Sequence, residues 1–324
     1  MIIFVLQTNN KKRSLMQHKD NTEKWIELYY EIDNLYKSHE NWKKNAALSI
    51  GVKIKKTTRN TQLSPSEVAV ILVMYHTSGY KNFACYYEAL CRGEGKTLFR
   101  KLPVYQSFIR YILKVFPLMM MWARLTCVQA QRTGFYIIDA KPIEVCHTKR
   151  EHQHKVFNGY ARKGKGSMGW FFGMKFHAVI NHWGQIVNFS FTPGNVADNN
   201  HELLKTILAP FTGVCVGDRG YLTKLFESFY ENSLHLMTRT RKSKKNKSET
   251  TLVPNEEAIL VRKRGLIESC FNILTCVCDL EHSRHRKPIN GFVHMLSAII
   301  AYQHLPQKPH IYVANAVNYL QKSA

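Results

Sequence analysis

Two apolar runs of this 324-residue chain stop on aspartate. FYIID carries Phe135, Ile137 and Asp139, and VCVGD carries Val214, Val216 and Asp218. A strand sends alternate side chains to one face, so each Asp shares a face with two apolar residues. Strand ends of α/β sheets are where ligand sites assemble. On neighbouring strands the two carboxylates would repel unless a proton or a cation lay between them. A third acid stands in RKRGLIESCFNIL. There Ile267, Phe271 and Leu274 form an apolar face, and Arg264, Glu268 and Asn272 follow at four-residue steps along another. Three hard oxygen donors suit Mg²⁺ or Mn²⁺ rather than zinc. Two such ions, about 3.5–4 Å apart, activate a nucleophile and stabilise the leaving oxygen on one phosphate. Taken singly, each acid is equally a turn residue or half of a surface ion pair with Arg264. All three together, in this order and in a basic chain, point to a metal site.

The elements that must position these acids are legible as a change of texture at Gly134. Before it the pattern is helical. Trp25, Leu28, Tyr29, Ile32, Leu35 and Tyr36 form one stripe of 3.6-residue period. LSPSEVAVILVMYH starts with Ser64 as N-cap, Pro65 at the first position and Glu67 completing a capping box. FACYYEALC and VYQSFIRYILKVF read as further helices. After Gly134, FYIIDAKPIEVC is strand-like and a Gly/Lys/Arg-rich loop, NGYARKGKGSMG, follows. MKFHAVINHWG and QIVNFSFTPG make a hairpin across Trp183-Gly184. NVADNNHELLKTIL (helix), GVCVGDRGYL (strand), TKLFESFYENS (helix), LHLMTRTR (strand) and two closing helices, LVRKRGLIESCFNILTCVCDL and GFVHMLSAIIAYQHL, complete the order. The expected fold is α/β: a ribonuclease-H-like mixed sheet with flanking helices, preceded by an all-helical N-terminal domain. The expected division is 1–20, a disordered arm or upstream extension; 21–130, a helical, helix-turn-helix-like domain; 131–305, the sheet domain; and 306–324, a tail.

Charge restricts the partners. Lys and Arg total 46 against 23 Asp and Glu, a formal +23. Such an excess makes nucleic acid the first candidate. Residues 141–175 hold 8 Lys/Arg and 2 acids, and residues 239–264 hold 9 and 3. These runs flank the acids and suggest a groove lined for phosphates. Its candidate contacts are Lys141, Arg162, Lys163, Lys165, Arg219, Arg239, Arg241 and Arg264, which would position DNA without reading its sequence. Eight cysteines form no CxxC, and the spacing of Cys270, Cys276 and Cys278 matches no common zinc pattern. Reduced thiols of a cytoplasmic protein fit best. His147, His152 and His154 read as a solvated loop. No targeting segment is read at MIIFVLQ. The run VFPLMMMWARLTCV contains Pro117 and Arg124 and reads as a core helix, not a membrane span.

The motifs YIIDAKP, TPGNVADN, VGDRGYL and RGLIESCFNIL resemble those of bacterial insertion-sequence transposases of the DDE class, with the insertion-sequence 982 family nearest. LYYEIDNLYK, LSPSEVAVILVMY, SGYKNF, LPVYQSFIRYI and HSRHRKPINGFVHMLSAIIAY carry the likeness over about residues 24–305. The resemblance implies that Asp139, Asp218 and Glu268 are the metal-binding triad. Arg264, four residues before Glu268, matches the related Arg-x3-Glu signature. Where related enzymes often hold Tyr and Lys around that signature, this chain has Val261 and Thr275. Asp198, in PGNVADN, is read as helix capping or packing. The implied activity is divalent-metal-dependent cleavage at the ends of a mobile element, freeing a 3′-hydroxyl that then attacks target DNA. Implied with it are a magnesium-dependent endonuclease step, DNA recombination, terminal inverted repeats and target DNA as partners, a homodimer on DNA, and no membrane or nucleotide cofactor. The place of action that the resemblance implies is the bacterial cytoplasm, at the nucleoid. Two other readings remain open: a nuclease of the same fold without strand transfer, and a catalytically inactive transposase-derived DNA-binding protein.

Overall fold

Ser64 behaves as its local sequence demands. Its hydroxyl accepts from the Glu67 N–H at 3.1 Å, and its own N–H donates to Glu67 Oε2 at 2.6 Å. The reciprocal pair satisfies donors that a helix start otherwise leaves bare. The computed structural model describes residues 2–49, 62–221, 225–238, 255–281 and 285–313. The chain divides into two compact units, Met1–Trp122 and Ala123–Ala324.

The described elements of the first unit are helices: α1 (Ile2–Ser49), α2 (Pro65–Tyr75), α3 (Phe83–Arg92), α4 (Gly95–Leu98) and most of α5 (Tyr105–Gln129). The backbone of α1 extends through residues 2–20, where the sequence offered no stripe. Its periodic part buries Trp25, Leu28 and Ile32. Trp25 meets Phe99 edge-on at 5.6 Å, and Asp33 Oδ1 accepts from the Ser66 hydroxyl at 3.0 Å. Phe83, Tyr87 and Phe108 pack ring against ring. α5 is long and apolar enough to cross a membrane by length and composition. It contains Pro117 and Arg124 and buries Phe108, Met119, Trp122 and Cys127. Because it runs unbroken to Gln129, the division between units falls inside it, at 122/123.

The second unit is built on six strands: β1 (Phe135–Cys146), β2 (Arg162–Gly166), β3 (Gly169–Asn181), β4 (Ile186–Pro193), β5 (Gly213–Gly217) and β6 (Leu234–Thr238). The order is β2-β3-β1-β5-β6, with β4 also on β3. β2 and β4 share one edge of β3, β2 along Gly169–Gly173 and β4 along Met174–Ile180. β1, β2 and β4 run antiparallel to β3, whereas β1, β5 and β6 are mutually parallel. The loop expected over NGYARKGKGSMG thus contains a strand. Its helices are α6 (His201–Leu208), α7 (Phe226–Glu231), α8 (Asn255–Arg262), α9 (Gly265–Cys276) and α10 (Pro288–Gln303). The single helix expected from Leu260 is broken at Lys263–Arg264.

Alternation sorts the sheet into two faces. One carries Tyr136, Ile138, Val179, Cys215 and Leu236, which pack with Leu204 and Ile207 of α6 and Phe229 of α7. The other carries Ile137, Val216, Phe176 and Ala178. There Phe271 of α9 meets Phe176 at 6.0 Å, and Phe292 of α10 meets Phe191 at 6.2 Å. The result is helices on both faces of a mixed sheet. Residues 306–313 return to the β3–β4 turn, where the Ile311 N–H donates to His182 O at 2.9 Å.

Candidate functional site

The register of β1 against β5 decides whether the two aspartates meet. Phe135, Tyr136 and Ile137 pair with Val214, Cys215 and Val216. The register starts at Gly213, whose φ of +109° is open to glycine, and a Cβ there would lie 2.2 Å from Gly134 O. Two residues past the last pair come Asp139, still within β1, and Asp218, the residue after β5 ends; the Asp218 charge acts on the Asp139 carboxyl. The face of β1 that carries Asp139 is the one covered by α9. Glu268 lies in the first turn of α9, where the helix dipole favours an anion.

Arg264 joins the strands to the helix. Its Nη1 donates to Asp139 Oδ2 at 3.2 Å and its Nη2 to Glu268 Oε1 at 3.1 Å. The break between α8 and α9 at Lys263–Arg264 lets one guanidinium reach both acids. Asp139 is the buried member, with its side chain 20% exposed against 62% for Glu268. Burial pushes the Asp139 carboxyl up to about 6. The Ala140 N–H and Arg264 oppose that rise, and the charges of Asp218 and Asp198 add to it. Replacing Arg264 by Gln removes a lowering influence, so the Asp139 pKa of the metal-free protein is expected to climb above about 6. Carbon-13 NMR of labelled aspartate would follow it.

The sequence did not disclose what lies behind this pair, on the opposite face. Lys175, only 10% exposed, donates to Asp198 Oδ1 at 2.8 Å and to Val196 O at 2.9 Å. Asp198 is therefore an ion-pair partner and not a cap: Asn200 caps α6, its side chain accepting from the Leu203 N–H. Beside this pair His177 is wholly buried, with Nε2 2.8 Å from Thr192 Oγ1. Burial lowers its pKa to about 4, so the ring is neutral at pH 7. Tyr221 packs its buried ring under Gly217, and a Cβ on Gly220 would lie 3.7 Å from Asp198 Oδ2. The turn carrying Asp218 is thus backed by a polar layer. A readable signal was present: Lys175 and His177 alternate with Met174, Phe176 and Ala178, which puts two polar side chains together on one face of a buried strand.

The candidate cations are unequally placed. Lys141 is ion-paired with Glu281 at 2.8 Å. Arg162 is exposed on β2. Lys163 lies 3.4 Å from Glu151, and Lys163 and Lys165 stand 5.7 and 5.8 Å from the Trp170 ring centroid. Arg219 is in a short 3-10 helix, Arg219–Tyr221, its side chain outside the described residues. Arg239 and Arg241 also lie outside them.

Among the described residues, no group of three or more His, Cys, Asp or Glu side chains is arranged to hold a metal ion. Arg264 occupies the position of positive charge between Asp139 and Glu268. The donor set is nonetheless all carboxylate, the chemistry a hard divalent cation requires. A mixed sheet with flanking helices is compatible with a DDE transposase fold. Residues 129–288, just under half of the chain, match the family described as transposase DDE domain. The match supports a DDE-class transposase, indicates an enzyme of that kind and implies DNA as its partner. No curated protein matches the chain in sequence.

Proposed function

We propose that this chain is a transposase of the insertion-sequence 982 family. It cleaves the ends of a mobile DNA element and joins the freed 3′-hydroxyl to target DNA in the bacterial cytoplasm, at the nucleoid. The observation that carries the proposal is Arg264 bonded to both Asp139 and Glu268, with Asp218 two residues past the β1–β5 ladder and its charge acting on Asp139. All four lie inside the matched segment. The antiparallel β1–β3–β4 portion followed by parallel β5 and β6 supports a ribonuclease-H-like sheet.

Asp139, Asp218 and Glu268 would hold Mg²⁺ or Mn²⁺, two ions per site. Such ions supply Lewis-acid activation of a nucleophile and stabilise charge on the transferred phosphate. The remaining roles belong to the chain. Arg264 balances the carboxylates of the metal-free protein and, once released from them, faces the phosphate. The Lys175–Asp198 pair and Tyr221 hold the Asp218 turn from behind. Arg162, Lys163, Lys165, Arg219, Arg239 and Arg241 contact phosphates, while the helix-turn-helix-like region over 45–130 reads the terminal repeats. Two copies bring two element ends together.

The deciding experiment supplies pre-cleaved element ends, target DNA and Mg²⁺ to the full chain. Joined product is expected. Nicking without joining would indicate a nuclease of this fold, and neither product would indicate an inactive DNA-binding derivative. Binding should fall with salt at a slope of about −0.9 per phosphate contact. Lys165→Ala should reduce that slope by about 1 and weaken all sequences alike, as read by fluorescence anisotropy at several salt concentrations.

A further inference from the structure

A cavity of about 360 Å³ opens between the 3-10 helix Thr148–Gln153 and β2. Its lining includes Glu151, His154, Lys155, Arg162, Lys163 and Phe172. Three cations against one carboxylate favour an anion. Two lining groups call for more than an anion: Glu151 Oε2 and His154 Nε2 are buried without a hydrogen-bond partner among the described residues. A buried acceptor left unpaired is costly, so the site suits a ligand that brings a donor. The rings of His154 and Phe172 meet edge-on at 6.2 Å and 67°, adding aromatic surface to the lining.

One ligand chemistry meets all three demands. A nucleotide carries a phosphate for Lys155, Arg162 and Lys163, a flat ring for Phe172, and, on some bases, an exocyclic amino group for Glu151. An inorganic anion leaves the carboxylate and the rings unused. A base can lay its face on the Phe172 ring only when it is out of a duplex stack, so the occupant is unpaired. The neighbouring surface agrees. Trp170, 61% exposed, extends from the same strand pair with Lys163 and Lys165 beside its ring, and Met168 at the β2–β3 turn is fully exposed. Exposed aromatics among cations form stacking platforms for single strands. Phe172 stands six residues along β3 from Ala178, the partner of Asp139, and on the same face. That is about 20 Å at 3.4 Å per residue, or about six nucleotide steps.

We propose that this cavity receives one unpaired nucleotide of bound DNA and that Glu151 selects a base bearing an exocyclic amino group. The inference rests on DNA being the partner. Its test is fluorescence anisotropy of the full chain with oligo-dC and oligo-dT of equal length at fixed salt. Oligo-dC should bind about tenfold tighter, since the cytosine amino group projects a donor towards Glu151, whereas the one donor of thymine, N3–H, is flanked by two carbonyl oxygens that repel a carboxylate. Glu151→Ala should bring the ratio to about one, with retained oligo-dT affinity reporting a folded protein. Glu151→Gln, whose amide donates as well as accepts, should bind oligo-dT about threefold tighter than the wild type does. Trp170→Ala should weaken both strands about tenfold. Affinity without base preference, or a preference that survives Glu151→Ala, would overturn the cavity assignment alone. Absence of affinity for either strand would overturn it together with the DNA reading. Free dCMP binding more tightly than oligo-dC would make the occupant a mononucleotide and likewise overturn it.

Discussion

Asp139→Asn is expected to abolish Mg²⁺-dependent cleavage while making the metal-free protein more stable at neutral pH. The loss of activity follows from the proposed role. A carboxylate that holds a divalent cation contributes several kcal/mol of charge stabilisation, and each 1.36 kcal/mol is tenfold in rate. A fall of at least about 10³-fold in nicking is therefore expected. Asparagine keeps one acceptor, which the Ala140 N–H can use, and sets an amide NH2 where Oδ2 met Arg264; the backbone bond stays, so the local fold survives, while the Arg264 bond is lost. DNA affinity at fixed salt should change by less than about threefold, because the Asp139 carboxylate serves a cation and not a phosphate.

The gain in stability follows from the sign of the pKa shift. Burial raises the Asp139 carboxyl from 3.8 to about 6. A group raised in the folded state supports folding fully below its unfolded value and loses that support as pH rises through the folded one. Wild-type protein in EDTA should thus lose stability relative to Asp139→Asn between about pH 4 and pH 6. The difference should approach ~2 kcal/mol at pH 7.5 and vanish near pH 4. Urea unfolding at three pH values reads both limits. Equal stability of the two proteins at pH 7.5 would contradict the buried, charge-crowded setting assigned to Asp139.

That setting was only partly legible in the amino-acid order. The acids could be found because apolar alternation carries each aspartate to a strand end, and because Glu268 falls four residues after Arg264 on a helix with a clear apolar face. The approach of Asp218 to Asp139 needed the β1–β5 register, which depends on a glycine at 213 and on a partner 79 residues away. Arg264 bridging two acids was out of reach. The break at Lys263–Arg264 has no proline to announce it, and a guanidinium's choice of partners is a tertiary fact. Lys175, and with it the ion pair to Asp198, was missed because a charge inside an apolar strand pattern looks like an interruption until its partner is located.

The elements divide in the same way. Ser64, Pro65 and Glu67 announce α2 because every interaction involved lies within three residues. The β3–β4 hairpin was visible through alternation interrupted at Trp183-Gly184. β2 was not, because RKGKG has neither alternation nor β-branched residues. It is a strand only because β3 extends beyond β4 and offers an open edge to pair with. The cations expected on a loop are thereby fixed on a strand, and Lys163 and Lys165 are set beside one tryptophan ring.

Phe176→Ala should destabilise the second unit by about 4 kcal/mol and disable the site from a distance. Phe176 is fully buried in β3 and packs against Phe189 and Phe191 of the sheet and Phe271 of α9. Truncation removes a large apolar side chain and leaves a cavity that neighbouring β-strands, held by their ladders, can only partly close. Its consequence for activity runs through Phe271, three residues after Glu268 on α9. Without its anchor on the sheet, α9 has less reason to hold Glu268 on the face of Asp139. Phe176→Leu keeps most of the volume and should cost less than about 1.5 kcal/mol. In urea the Ala variant should shift its midpoint without a change of slope, as a pure loss of packing requires. At a temperature where circular dichroism shows both variants folded, Phe176→Ala should nick DNA at least about tenfold more slowly than Phe176→Leu, and raising Mg²⁺ should recover part of the difference by favouring the assembled triad. Equal nicking rates for two folded variants would mean that Glu268 is positioned by something other than the Phe176–Phe271 contact.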